Sequence, residues 1–227
     1  MMSTQRFIVE NAGPNIVTVQ KLFEQSAAFC LRNSIGVITL IVPVKAAFPD
    51  TVIADYLGSS MARRLSRGAP VTLVKNLEIR LAIPSQLNHA TDIGLVVAAF
   101  LSLQDLAIID ANPSLKALAF LPWTEDEGKK WMGIWTPSVW GDARWDVARY
   151  SLPVPVDQEL ARLTRVVNLS TGLKDPRDKE SALRIFKGFR LQGHQLDAEH
   201  IKGWAIQHGW PARHAEELAD LSRIYCA

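Results

Sequence analysis

Three apolar runs constrain this chain more than any other feature: Val37–Val42 (VITLIV), Ile93–Phe100 (IGLVVAAF) and Lys116–Leu121 (KALAFL). Runs of this length that are nearly free of polar residues read as strands buried on both faces. Gly36 and Pro43 bracket the first run, and Pro122 stops the third. Helical periodicity separates them. In Ile16–Asn33 the apolar residues Val19, Leu22, Phe23, Ala27 and Cys30 recur at three and four. Strand, loop, amphipathic helix and strand in repetition predict an α/β fold, a mostly parallel sheet with helices on both faces. The expected layout is a Rossmann-like α/β domain over 1–150 and a C-terminal helical module over 157–227.

The remaining elements follow from local signals. Arg6–Glu10 reads as a first strand that ends at a Gly13-Pro14 turn, with Asn15 placed to cap the next helix. A helix is expected from Asp50 to Ser66, after Pro49, with Gly68 as its stop. Arg63, Arg64 and Arg67 then lie at its carbonyl end, which favours cations and accounts for the arginine cluster. Val71–Val74 and Leu77–Ile83 read as short strands around Lys75-Asn76. The second alternates apolar and polar residues, which places it at an edge or under cover on one side only. The run beginning at Asp92 and ending at Leu101 leads into a helix over Ser102–Ala111. In Leu115–Pro137, Pro122 ends the strand and Thr124-Glu-Asp-Glu127 forms a capping box. Trp131 and Trp135, one turn apart, are expected to pack on the sheet. Pro137–Pro155, with Trp140, Trp145 and Tyr150, reads as an irregular segment over the domain that ends in a stiff linker, Leu152–Val156. Four helices are expected near 157–169, 176–191, 197–208 and 211–225.

Composition excludes several function classes. The net charge of +2 is spread evenly: residues 1–150 hold 14 Lys/Arg against 13 Asp/Glu, and residues 151–227 hold 11 against 10. No basic domain stands out to neutralise phosphates, so nucleic acid is not an expected partner. Cys30, in an apolar helical stretch, reads as a core residue, and two unpaired thiols fit a reducing, cytoplasmic setting. The N-terminal residues lack the layout of a signal peptide. The longest apolar stretch, Ile93–Ile109, is broken by Ser102, Gln104 and Asp105, so no membrane span is expected.

The phosphate-loop, dinucleotide, nucleophile-elbow, zinc-protease and C-x-x-C motifs are absent from the sequence. What remains is positional. Ligands of open α/β sheets bind beyond the carboxyl ends of the strands. The loops leaving the predicted strands are Asn11–Asn15, Pro43–Asp50, Leu101-Ser102 and Pro122–Glu125, and each opens a helix able to hold an anion on free backbone N–H groups. The candidate ligand residues are Asn15, Lys45, Asp50, Ser102, Thr124 and Glu125. Lys45, the one cation among them, suits a phosphate-bearing small molecule. Asn15, Ser102 and Thr124 would bond to that ligand, or serve only as helix caps. If the rim is instead an enzyme site for a nucleotide or other phosphorylated metabolite, Asp50 or Glu125 is the acid/base candidate. A third reading is a structural interaction module with no ligand.

The order Phe7, Glu10, Gly13, Asn15, helix and VITLIV resembles the opening of the pyruvate-kinase C-terminal-type α/β domain over residues 7–65. That resemblance implies an α/β fold and a phosphate-containing ligand. Ile16 stands where the family shows Thr, the Gly-to-Asn spacing is short, and no Ser/Thr/Gly loop follows Val42. No functional residue carries over.

In the C-terminal module, His194, His200, His208 and His214 fall at gaps of six, eight and six, which is not the spacing of a helical metal pair. With His89 they read as surface histidines, and no metal is expected. Ala205, Gly209, Trp210, Ala215 and Leu218 match helix-turn-helix spacing. The second helix would carry Glu216, Glu217 and Asp220 against one arginine, so DNA binding is a minor reading beside two packed helices. Arg184, Lys187 and Arg190 form a basic stripe, with Ile185 and Phe189 packing behind it, and make the helices a candidate surface for an acidic protein partner.

Overall fold

The computed structural model describes residues 4–89, 93–110, 112, 114–141, 147 and 149–226. Asp92, Ala111 and Trp145, named above, lie outside them. The chain divides into two compact units, Met1–Met132 with Thr136–Val147 and Gly133–Trp135 with Ala148–Ala227.

The first unit is an α/β layer structure. Its strands are β1 (Gln5–Val9), β2 (Val37–Ile41), β3 (Val71–Val74), β4 (Leu77–Ala82), β5 (Leu95–Ala99), β6 (Ala117–Leu121) and β7 (Ser138–Trp140). They lie in the order β3-β4-β2-β5-β6-β1-β7. Every pairing is parallel except β3–β4, the hairpin around Lys75-Asn76. The apolar runs behave as their composition demands: β2, β5 and β6 are buried at all positions. Alternate residues point to opposite sides. Val9, Ile38, Leu40, Val97 and Ala119 join one core with α1 (Ile16–Arg32), α2 (Val52–Leu57) and α3 (Ser59–Ser66). On the other face Phe120 meets Trp131 edge-on at 5.3 Å, which places α5 (Glu125–Trp135) there. Asp110, the last residue of α4 (Leu103–Asp110), accepts a bond from the Trp131 indole, so α4 shares that face. The expected fold class, a mostly parallel sheet covered on both sides, is the one found.

Four local expectations need correction. The helix expected over Asp50–Ser66 is interrupted: a 3₁₀ turn covers Lys45–Asp50, Thr51 caps α2, and Gly58 at φ +82° separates α2 from α3. That backbone angle is open to glycine at little cost, and a bend resulted where the periodicity alone ran on. β4 is not an edge strand. It sits between β3 and β2 with its alternate residues half-covered, so only the one-sided cover was right. The segment after Pro137 is not wholly irregular, since β7 adds to β1 at the sheet edge and buries Trp140 against Phe7, 4.5 Å between ring centres. Trp131 packs on the sheet as expected, whereas Trp135 groups with the second unit.

The second unit is helical: α6 (Val154–Val166), α7 (Pro176–Leu191), α8 (Ala198–Gln207) and α9 (Ala212–Cys226). α6 begins inside the expected linker, because Pro155 occupies a first-turn position where a missing N–H costs nothing. Asp175 and Asp197 cap α7 and α8. Trp204 and Trp210 are both buried, and each indole N–H reaches α6, at Asp157 Oδ1 (2.6 Å) and Thr164 Oγ1 (2.9 Å). These acceptors are two turns apart on one helix, so the α8–α9 turn is pinned at two points.

Candidate functional site

Because β1, β2, β5 and β6 run parallel, their carboxyl ends lie at one end of the sheet. Asn15, Lys45, Ser102 and Thr124 follow those ends and therefore share one rim. Chain direction divides it. β2 hands over to α2 and α3 on one face, and its neighbour β5 hands over to α4 on the other, so the strand order switches between them. The connections after β6 and β1 also leave on opposite faces, but there the Gly13 amide donates to the Pro122 carbonyl at 3.0 Å and joins the two loops. Between the loops after β2 and β5 there is no such backbone bridge among the described residues.

The predicted polar residues are occupied locally. The Asn15 carboxamide accepts from the Val17 amide at 2.8 Å, and Ser102 Oγ accepts from the Asp105 amide at 3.1 Å while donating to the Asp105 carboxylate at 2.8 Å. Thr124 and Glu127 complete the capping box in both directions. Glu125 is exposed and held by Lys129 at 2.7 Å. Asp50 is exposed at the end of its 3₁₀ turn. Lys45 is different. It has no carboxylate within 4.0 Å among the described residues, and its ammonium lies beside Gly68, 3.6 Å from where a β-carbon would stand there. The first turn of α5 carries Glu125, Asp126 and Glu127 and that of α4 carries Asp105, so neither start favours an anion.

Replacing Thr124 by Ala is expected to cost about 1 kcal/mol through loss of the cap. Urea denaturation measures the loss. A cap-only role leaves ligand binding intact at the residual stability.

Sequence reasoning passed over Phe100 and Val44, and it read the Trp123 segment as the handover from a strand to a helix. Phe100, at the end of β5, is held at φ +58°, a region costly for a bulky side chain, and its amide donates to the Leu121 carbonyl at 2.8 Å. Its ring meets Trp123 edge-to-face at 5.1 Å, and Trp123 remains 52% exposed. Val44, beside Lys45, is 57% exposed. The two rings thus meet where the neighbouring strands β5 and β6 end. Glu10 and Lys21 were also not candidates, yet they form an ion pair at the end of β1. The signal was present: an acid closing an apolar strand, and a lysine on the polar side of the helix that follows.

Elsewhere, Cys30 is fully buried, and burial pushes its thiol up to about 11, which makes it an inert core residue. The surface reading of the histidines fails for His214. It is buried, with Nδ1 3.0 Å from Glu217 Oε2 and Nε2 3.3 Å from the Ser170 carbonyl. Burial pushes the Glu217 carboxyl up, but His214, the Leu173 amide and Arg213 outweigh it and hold the group below its ordinary value. His194, His200 and His208 each lie against an aromatic ring, of Phe189, Tyr150 and Trp204. Among the described residues, no group of three or more His, Cys, Asp or Glu is placed to hold a metal, and no helix is long and apolar enough to cross a membrane.

Residues 153–224 are similar to a family described as a domain of unknown function (DUF1889). The matched span covers α6 to α9, apart from the last two residues of α9, and none of the sheet. No curated protein and no solved structure matches the chain.

Proposed function

We propose that the α/β unit is a ligand-binding module whose site is the switch point between the carboxyl ends of β2 and β5, and whose ligand is a small phosphate-bearing molecule with a planar ring. The observation that carries this reading is that the connections after two adjacent parallel strands leave on opposite faces of the sheet, the kind of switch point where doubly wound, Rossmann-like sheets hold their ligands. Lys45 supplies the charge for the phosphate. Phe100 and Trp123 supply the face for the ring, because an exposed indole held by a second aromatic is a rigid stacking surface. We place this activity in a reducing cytoplasm, on the strength of the free, buried Cys30 thiol.

Titration of adenosine monophosphate and of inorganic phosphate, followed by isothermal calorimetry, tests the reading. The nucleotide is expected to bind more tightly than phosphate. Lys45→Ala is expected to weaken it by tenfold or more, in line with about 1.5–3 kcal/mol for a charge-assisted bond. Trp123→Ala should weaken the nucleotide and leave phosphate unchanged. Failure of both titrants to bind, or equal binding to the Lys45 variant, overturns it.

A further inference from the structure

The helical unit contains three helix-interior glycines, and two have an evident reason to be there. A β-carbon on Gly133 would meet the Tyr150 ring at 2.8 Å, and one on Gly203 would meet the same ring at 2.7 Å. The third, Gly188 in α7, has nothing within 4 Å of that position. A glycine inside a helix destabilises it relative to alanine, and at Gly188 no packing among the described residues asks for one. It leaves a notch in the exposed side of α7.

The notch lies among unneutralised cations. Arg177, Lys179, Arg184, Lys187 and Arg190 have no carboxylate within 4.0 Å among the described residues, and Lys187 rests instead over the Tyr225 ring at 5.8 Å. Elsewhere in the unit Arg162 pairs with Glu159, Lys202 with Glu216, Arg213 with Glu217, and Arg223 with Glu199, Glu216 and Asp220, while Arg149, Arg165 and Lys174 also have no carboxylate within 4.0 Å among the described residues but are not gathered on one helix. The two acids of α7, Asp178 and Glu180, both lie in its first five residues, so the rest of the helix is purely cationic. Arg177, Arg184 and Leu191 recur every seven residues, two turns, and form one line along the exposed side. Leu191 ends that line 89% exposed. Behind it Phe186 and Phe189 are buried, while Ile185, expected to pack there, is only half-covered.

We infer that this face of α7 is a docking site for an acidic helical segment of a partner protein, whose backbone approaches at Gly188. Its carboxylates would engage Arg184, Lys187 and Arg190, and an apolar side chain would cover Leu191. The charge is local. Residues 151–227 hold 11 cations and 10 acids, and without α7 the acids exceed the cations by two. A field confined to one helix of about 24 Å fits a short acidic segment better than a long phosphate polymer.

The test uses the full chain and a fluorescein-labelled 15-residue peptide of Glu and Ala with one Leu, followed by anisotropy at 50 mM salt. The peptide is expected to bind, and its Gln-for-Glu counterpart should not. Arg184→Glu should weaken binding at least tenfold. Gly188→Ala supplies the discriminating result, a higher melting temperature together with weaker peptide binding, which a merely structural glycine would not give. The proposal is overturned if the acidic peptide does not bind, or if Gly188→Ala leaves its affinity unchanged. It is also overturned if single-stranded DNA or phosphatidylglycerol vesicles of equal charge bind more tightly than the peptide.

Discussion

Replacing Asp110 by Ala is expected to lower the stability of the α/β unit by about 3–5 kcal/mol, the largest effect anticipated for a single side chain in that unit. The Asp110 side chain is 2% exposed, and it accepts from Arg6 Nε at 2.8 Å and from the Trp131 indole at 3.3 Å. It thereby ties the end of α4 to both β1 and α5. The loss comes from removing the Asp110 carboxylate from the half-buried Arg6 guanidinium and the Trp131 indole, not from any large net gain of the pair. Two further variants separate these contributions. Asp110→Asn keeps an acceptor and should cost less. Combining Arg6→Met with Asp110→Leu removes both charges and should recover most of the stability. Urea unfolding of the four proteins forms a double-mutant cycle. If Asp110→Ala costs under 1 kcal/mol, or the double variant is as unstable as the single, the buried pair is not what joins these elements.

Neither residue of that pair stood out in the sequence, and the reason is general to the fold. Arg6 and Asp110 are 104 positions apart, and each alone looks like a surface charge at the end of an element. What was legible was local. The uninterrupted runs gave β2, β5 and β6, the Thr124–Glu127 box gave the start of α5, and the helix expected near 176–191 is α7. These signals depend on neighbours within one turn or one strand. Gly58 shows the limit, because a single glycine inside a periodic stretch is tolerated or breaks it according to tertiary packing. The rim was legible as topology, since parallel strands must bring their following loops to one end. Its chemistry was not. The polar candidates Asn15, Ser102 and Thr124 bond the first amides of their own helices as exposed caps, while Phe100 and Trp123 became neighbours only once β5 and β6 lay side by side.

In the helical unit, Trp204→Ala is expected to cost about 3–5 kcal/mol, enough to unfold a module of this size. The indole is buried, its N–H donates to Asp157 Oδ1 at 2.6 Å, and its face stacks on His208 with 3.8 Å between ring centres. Truncation would open a cavity at the base of α8 and strand the Asp157 carboxylate near the start of α6. Trp204→Phe separates the two losses: it retains most of the apolar volume and removes only the hydrogen bond, for about 1–2 kcal/mol. The neighbouring Trp210, anchored on Thr164 in the same helix, should give a loss of similar size, and the two should be non-additive because both hold one turn against α6. Far-ultraviolet circular dichroism through a urea titration follows the loss against the helical signal of the α/β unit. A Trp204→Ala protein with an unchanged midpoint would mean that the turn between α8 and α9 is held by other contacts, and that the two indoles are not its anchors.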